Sequence, residues 1–327
     1  MKNIFLTIKF LLLLCMVQAQ DPQFSQFYAA PLYLGPSMAG TNGGPRICLN
    51  FRDQWPKLQG KYITSSLSFD TYVSKINSGI GVLVLRDNAG NGKLTTTQVG
   101  VNYSYRIKVT RDFFLQPGLQ FLFYQRALNF NKLTFADQYY ADQILPSSVE
   151  SPPDDQSGHI DFSTSILGFS KNMWFGASVD HLMRLNTTLT NDVRYVPLKI
   201  SAYGGYRIHL TQSLLSRDEQ YMTLAFHYRN QALMQQLDFG VYYNKLPFTV
   251  GVWYRGIPVI KSTKTKDAIT VSGGIMVQNL LLTYSYDFTV SSLITSTGGA
   301  HEIALVYTFE QSKKSKRKMG AVPCPRF

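Results

Sequence analysis

Residues 97–106 read TQVGVNYSYR. Thr97, Val99, Val101, Tyr103 and Tyr105 fall on one parity; Gln98, Gly100, Asn102, Ser104 and Arg106 fall on the other. Successive side chains of a β-strand point to opposite faces, so this stretch has one greasy face and one small, polar face. A helix, at about 3.6 residues per turn, would mix the two sets. The same alternation occurs in 221–228, where Met222, Leu224, Phe226 and Tyr228 oppose Tyr221, Thr223, Ala225 and His227. It occurs again in 280–288, where Leu280, Leu282, Tyr284, Tyr286 and Phe288 oppose Thr283, Ser285 and Asp287. Period two with β-branched and aromatic enrichment predicts strands.

About fourteen such segments can be placed. They lie near 46–52, 62–72, 78–86, 94–107, 112–126, 160–169, 172–182, 197–209, 220–229, 234–243, 246–255, 267–277, 280–288 and 299–310. Most are long enough to cross a bilayer when tilted, which takes about 9–11 residues. The connections 53–61, 87–93, 127–159, 183–196, 256–266 and 289–298 are mostly long, and those after even strands are mostly short, with 210–219 the main exception. Long loops at one end and tight turns at the other are expected of an outer-membrane barrel. The fold class is therefore all-β: a transmembrane outer-membrane β-barrel of about 14 antiparallel strands over 46–310. The last segment, HEIALVYTFE, puts Ile303, Leu305, Tyr307 and Phe309 on one face, as a closing barrel strand would.

Composition agrees with that reading. The chain has 20 Tyr and 21 Phe but only 16% charged residues, with a mean hydropathy of −0.08. Alternating lipid-facing and lumen-facing residues keep the average unremarkable. Lys2 and Lys9 flank the start of an apolar run from Ile4 to Val17, and Val17-Gln18-Ala19 offers a cleavage site. Residues 1–19 read as a signal peptide, cleaved near Ala19, and the mature chain as an outer-membrane protein. Of the +12 net charge, eight positive charges sit in that leader and in the basic tail 311–327. The remaining +4 excludes a nucleic-acid-binding surface. The tail follows the final strand and should hang in the periplasm, near anionic lipid headgroups or an acidic partner. Cys48 and Cys324 permit one disulfide in an exported protein, but the sequence does not fix their distance.

Catalytic chemistry finds little support. His159, His181, His209, His227 and His301 are dispersed, with no His-Glu-x-x-His pair, no Gly-x-Ser-x-Gly elbow and no cysteine pair of metal spacing. No catalytic, cofactor or metal site is expected, and the protein is read as a non-enzyme. The strand directions bring a different set together. Arg52, Asp53 and Trp55 end the first strand at the long-loop mouth, Asp180 and His181 close the seventh, Asp287 closes the thirteenth, and His301 and Glu302 open the fourteenth. Inward-facing charges are tolerated only where water or opposite charge meets them. Two readings stand: an internal salt-bridge network bracing the barrel, and a polar rim that binds a protein partner.

Residues 20–40 read QDPQFSQFYAAPLYLGPSMAG, a stretch with no helix period and too many prolines for a strand. DPQFSQFYAAPLYLGPSMAG followed by PRICLNFRDQWP resembles the amino-terminal signature of the PorP/SprF family, outer-membrane proteins of the type IX secretion and gliding-motility machinery of Bacteroidota. LTFADQ, FGASVDHL, SYDFTVSSL, TGGAHEIALVYTF and PCPRF continue the likeness over essentially the whole mature chain. Gly35-Pro36-Ser37 stands where the family usually has an Asn-Pro-Ala-like turn, and Met183-Arg184-Leu185-Asn186 lacks the proline that commonly follows the Asp-His-Leu motif. These departures imply altered local contacts or partner choice within the same fold. The resemblance implies barrels shaped like fatty-acid transporters that work with the periplasmic ring and other envelope components. It implies that some members hold a secreted surface adhesin by its C-terminal sorting domain. The N-terminal segment 20–45 is then expected to be a luminal hatch, with Phe24, Phe27, Tyr28, Tyr33 and Met38 packed against small inward-facing residues and its prolines limiting the entropy lost on ordering. An exposed periplasmic docking arm is the alternative. A fatty-acid-transporter-like channel for small hydrophobic molecules is the rival function.

Overall fold

The computed structural model describes residues 21–58, 60–90, 94–129, 133–140, 143–145, 156–189, 193, 195–210, 220–257, 268–290 and 297–309. The expected signal peptide, the basic tail and Cys324 lie outside these residues. Fourteen long strands run antiparallel: β1 (Arg46–Gln54), β2 (Tyr62–Val73), β3 (Ser78–Ala89), β4 (Leu94–Tyr105), β5 (Phe114–Ala127), β6 (Gln156–Phe169), β7 (Met173–Asp180), β8 (Lys199–His209), β9 (Gln220–Gln231), β10 (Met234–Lys245), β11 (Phe248–Ile257), β12 (Ala268–Val277), β13 (Leu280–Thr289) and β14 (Ala300–Thr308). Each pairs with its neighbour in sequence, and β1 also pairs with β14, Arg46 opposite Thr308 and Gln54 opposite Ala300. The sheet therefore closes on itself and leaves no long edge unpaired. Each strand expected from the alternation is present.

Parity decides which face meets what. Val99, Val101, Tyr103 and Tyr105 are exposed, while Gln98, Asn102, Ser104 and Arg106 are buried. Val82, Phe121, Phe162, Phe175, Val252 and Tyr284 continue an apolar outer wall around the barrel. No described helix is long and apolar enough to cross a membrane; the strands, nine to fourteen residues in most cases, are the crossing elements. The ends of β1, β7 and β13, with the described residues 55–58, 181–189 and 297–299 that follow them, lie at one end, and the two-residue turns 246–247 and 278–279 lie at the other. The long-loop end also has one tight turn, 232–233.

The inner face differs from the sequence expectation in one respect. Along β1 to β5 it is mostly small and polar, with Ser66, Ser68, Asn102, Ser104 and Gln116 buried, although Leu83, Leu85, Leu122 and Tyr124 also point inward. From β6 to β11 it carries Leu167, Phe169, Trp174, Tyr203, Tyr242 and Trp253, all buried. These large side chains form one continuous apolar core with Phe27, Tyr28, Leu34 and Met38 from the N-terminal segment. An apolar side chain can face the inside of a barrel when it meets another apolar side chain there instead of water.

Candidate functional site

Residues 21–45 run inside the barrel from the long-loop end to the short-turn end. The direction follows from the partners. Asp21 and Ser25 meet residues at the long-loop ends of β7, β8, β11, β13 and β14, whereas Gly40 meets Asp70 and Arg106 near the short-turn ends of β2 and β4. No single helix period was visible because the segment folds as three single turns, 27–29, 31–34 and 36–38. Pro31 and Pro36 each open one of these turns, where a missing N–H costs nothing.

Two charged clusters hold the start of the segment. In the first, Arg52 reaches Asp287 at 2.7 Å and Glu302 at 3.1 Å, and Arg255 reaches Asp287 at 2.7 Å. Two guanidinium groups thus face two carboxylates. The carboxylates are satisfied by the segment itself: Glu302 accepts the backbone N–H groups of Ser25 at 2.7 Å and Gln26 at 2.9 Å. The Ser25 hydroxyl donates to Asp287 at 2.7 Å and accepts from Arg52 at 2.6 Å, and Thr270 donates to Asp287 at 2.7 Å. Arg52, Asp287 and Glu302 are only 2%, 3% and 1% exposed, so their charges have traded water for one another and for the segment.

In the second cluster the His181 ring lies between two carboxylates, Nδ1 at 2.8 Å from Asp161 and Nε2 at 2.9 Å from Asp21. Lys199 reaches Asp21 at 3.2 Å and Asp180 at 3.5 Å, and its ammonium stands 4.8 Å from the Tyr33 ring centre. Burial alone would lower the His181 pKa, but the adjacent Asp21 and Asp161 outweigh it and raise the value to about 10. For Asp21 burial pushes upward, and His181 and Lys199 overcome it, holding the carboxyl well below the usual range. His181 adopts a left-handed φ of 64°, which turns its ring back over the strand end toward Asp21.

The middle and lower parts of the segment are held without charge pairs. Phe27 meets Trp253 edge-on at 4.9 Å and His227 at 5.1 Å, and Tyr28 meets Tyr242 edge-on at 4.9 Å. Phe24 packs edge-on against Tyr33 at 5.4 Å, and the Tyr33 hydroxyl donates to the Pro22 carbonyl. The expected small inward partners are thus replaced by aromatics around Phe27 and Tyr28. Small side chains do meet the lower part: Ser165 accepts from the Ser37 N–H at 2.7 Å, and Ser104 donates to the Ala39 carbonyl at 2.9 Å. Gln116 donates to the carbonyls of Ser37 and Ala39, each at 2.8 Å. Irregular backbone inside a membrane protein needs such partners. The approach is close: a Cβ on Gly79 would lie 2.1 Å from the Ala39 oxygen, and one on Gly118 would lie 2.2 Å from the Ser37 nitrogen.

The eight residues expected at the mouth divide into two sets. Arg52, His181, Asp287 and Glu302 face inward and are buried, so they do not line an accessible rim. Asp180 is half-buried beside Lys199. Asp53, Trp55 and His301 are partly exposed. Asp53 stands opposite His301 across β1 and β14 and pairs with Lys61 at 3.2 Å. Trp55 meets Tyr62 edge-on at 5.5 Å, and His301 contacts the Tyr284 hydroxyl at 2.8 Å. His301 and Glu302 are on opposite faces of the wall, so adjacency in sequence does not make them a joint site. Sequence reading missed Asp21, Asp161, Lys199 and Arg255. Strand parity could have found the last three, because each falls on the inward set of its strand.

Between the segment and the wall, Phe24, Phe27, Tyr33, Leu34 and Met234 border a cavity of about 40 Å³. That space suits a water or two and is far below what a drug-sized molecule fills. Among the described residues no group of three or more His, Cys, Asp and Glu is arranged to hold a metal ion. Cys48 is buried and faces inward.

A closed antiparallel wall, apolar outside and filled with charge pairs and aromatics inside, defines an outer-membrane type of β-barrel. The toluene transporter TbuX of Ralstonia pickettii shares the fold: TM-score 0.52 at 9% identity, over 86% of this chain and 94% of that one. A Rhodopseudomonas blastica porin triple mutant aligns with TM-score 0.38 at 8% identity, over 81% and 98%. The KdgM porin aligns with TM-score 0.36 at 12% identity, over 81% and 99%. No curated protein matches the chain in sequence. The chain belongs to the PorP/SprF family: the family's sequence model, described as type IX secretion system membrane protein PorP/SprF, matches residues 16–307.

Proposed function

We propose that this barrel is a non-enzymatic platform in type IX secretion that binds or anchors a secreted surface adhesin through its C-terminal sorting domain. Its long-loop end faces the cell exterior, and its short turns and basic tail face the periplasmic ring. The observation that carries the reading is the occupied lumen. Residues 21–45 act as a hatch that braces the wall from within, and the cavity beside its start measures about 40 Å³. A transport pore would need a continuous path; a platform needs a stiff mouth. The partner-facing residues are then those that keep exposure at the mouth, Asp53, Trp55 and His301, together with the long loops. Arg52, Asp180, His181, Asp287 and Glu302 act behind them by fixing the hatch. Tests begin with a gentle-detergent pull-down of the tagged mature protein from outer membranes, read by mass spectrometry. A surface adhesin in stoichiometric yield, lost in Trp55→Ala and Asp53→Ala, is the expected result. Recovery of neither adhesin nor ring components would contradict it.

The rival is a channel for small hydrophobic molecules, with the hatch as gate. The apolar part of the small cavity's border, Phe24, Phe27, Leu34 and Met234, favours it, and the charged part, Asp21, Lys199 and Arg229, does not. Uptake or conductance that persists without any adhesin partner would make this the better account.

A further inference from the structure

The outer wall has one irregular place. Ile303 stands opposite Phe51, Phe51 opposite Ser65, and Ser65 opposite Arg86, so these four outward positions form a row across β14, β1, β2 and β3. Ser65 is the short member. Its hydroxyl turns into the sheet, donating to the Arg86 carbonyl at 3.5 Å. The result is a depression of about 360 Å³ in the wall, flanked by Phe51, Leu67, Val84 and Ile303. Arg86 stands at its edge.

That arginine is out of keeping with its neighbours. The outward positions before it on β3 are Ile80, Val82 and Val84, all exposed and apolar. Arg86 is exposed and is the one arginine on the outward parity of the described strands. No described carboxylate forms an ion pair with it, and the nearest outward acid on β1, Asp53, is already held by Lys61 at 3.2 Å. Arg86 lies three residues before the end of β3, roughly 10 Å along the strand from the long-loop rim. A charge on the lipid face is tolerated near a barrel strand's end, where the side chain can reach the headgroup layer. A guanidinium there presents a planar fork suited to phosphate oxygens.

We propose that this groove binds one anionic, phosphate-bearing lipid, its phosphate on Arg86 and an acyl chain lying in the hollow over Ser65. The groove is on the membrane face and is independent of the mouth and of the hatch. A lipid bound there would sit as a fixed part of the wall beside β1 and β14, the strands that close the barrel.

Native mass spectrometry of the full chain in detergent micelles tests this, with dimyristoyl phosphatidylglycerol or dimyristoyl phosphatidylcholine as the added lipid. The expected result is one phosphatidylglycerol retained at collision energies that strip phosphatidylcholine. Arg86→Gln should lower that retained fraction at least fivefold, and Arg86→Lys should fall between. Ser65→Leu, which fills the hollow without touching the charge, should lower it comparably while the folded barrel keeps its gel mobility. Equal retention of the two lipids would overturn the proposal. So would unchanged phosphatidylglycerol retention in either Arg86→Gln or Ser65→Leu.

Discussion

The two halves of the lumen hold the same segment by different physics. At the long-loop half, residues 21–26 are tied by two clusters in which every main contact involves a charge. At the short-turn half, residues 35–39 are tied by neutral donors and acceptors, Ser104, Gln116 and Ser165, at distances that leave no room for a Cβ on Gly79 or Gly118, while Gly40 donates to the Asp70 carboxylate and accepts from the Arg106 guanidinium. The upper half is therefore sensitive to pH and to loss of one charge, and the lower half to added volume. Both kinds of contact fix the segment, and they fail under different perturbations.

The largest test of this contrast is Asp287→Ala. It leaves Arg52 and Arg255 buried without their shared carboxylate, and breaking a buried pair in this way costs about 3–5 kcal/mol. Residues 21–26 should become open to protease and the barrel's melting temperature should fall; an unchanged digestion pattern would break the assignment of the upper half. Gly118→Val comes next. Overpacking of this kind costs about 1–3 kcal/mol, and here the obstacle is backbone. Residues 35–40 should lose amide protection in hydrogen exchange while 21–26 keep theirs.

A smaller effect follows from pH. The raised His181 pKa means that its stabilisation is full below about 6.5, the ordinary value, and is lost as pH rises through about 10. Asp21, held low, works in the opposite sense: its share is present above the ordinary carboxylate range and is lost on acidification below it. Protection factors, which remove the base-catalysed rise in intrinsic exchange, should therefore fall at residues 21–24 between pH 7 and 10 and stay constant at residues 35–40. His181→Phe should remove that dependence. The smallest effect is at the rim. The exposed Asp53–Lys61 pair is worth about 0–1 kcal/mol, so Asp53→Ala should leave stability nearly unchanged. Any loss of adhesin in the pull-down would then report binding and not folding.

The wall was legible because its rule is local. TQVGVNYSYR assigns every residue from 97 to 106 to its observed face, and the same parity locates all fourteen strands. The charged rim was half legible. Asp180, Asp287 and Glu302 were visible as inward charges that needed partners, and the bracing network was one of the two readings. Its other half was not, because the partners of Glu302 are backbone N–H groups of Ser25 and Gln26, more than 270 residues away in sequence. No pattern records such a contact. The inward aromatics Trp253, Tyr242 and Tyr203 were misjudged for the same reason. Whether a lumen position may be large depends on what fills the lumen, which is a tertiary fact. Asp21 fell within the expected hatch but had no part assigned to it, and only the placement of His181 and Lys199 gives it a role.

The central claim is that residues 21–45 close the barrel and stay in place. Single-channel recording of the purified mature protein in planar bilayers at neutral pH tests it most directly. The account predicts no steady pore current from the wild type and the appearance of current steps in Asp287→Ala. A wild-type protein that conducts steadily, at the same level as the variant, would contradict it.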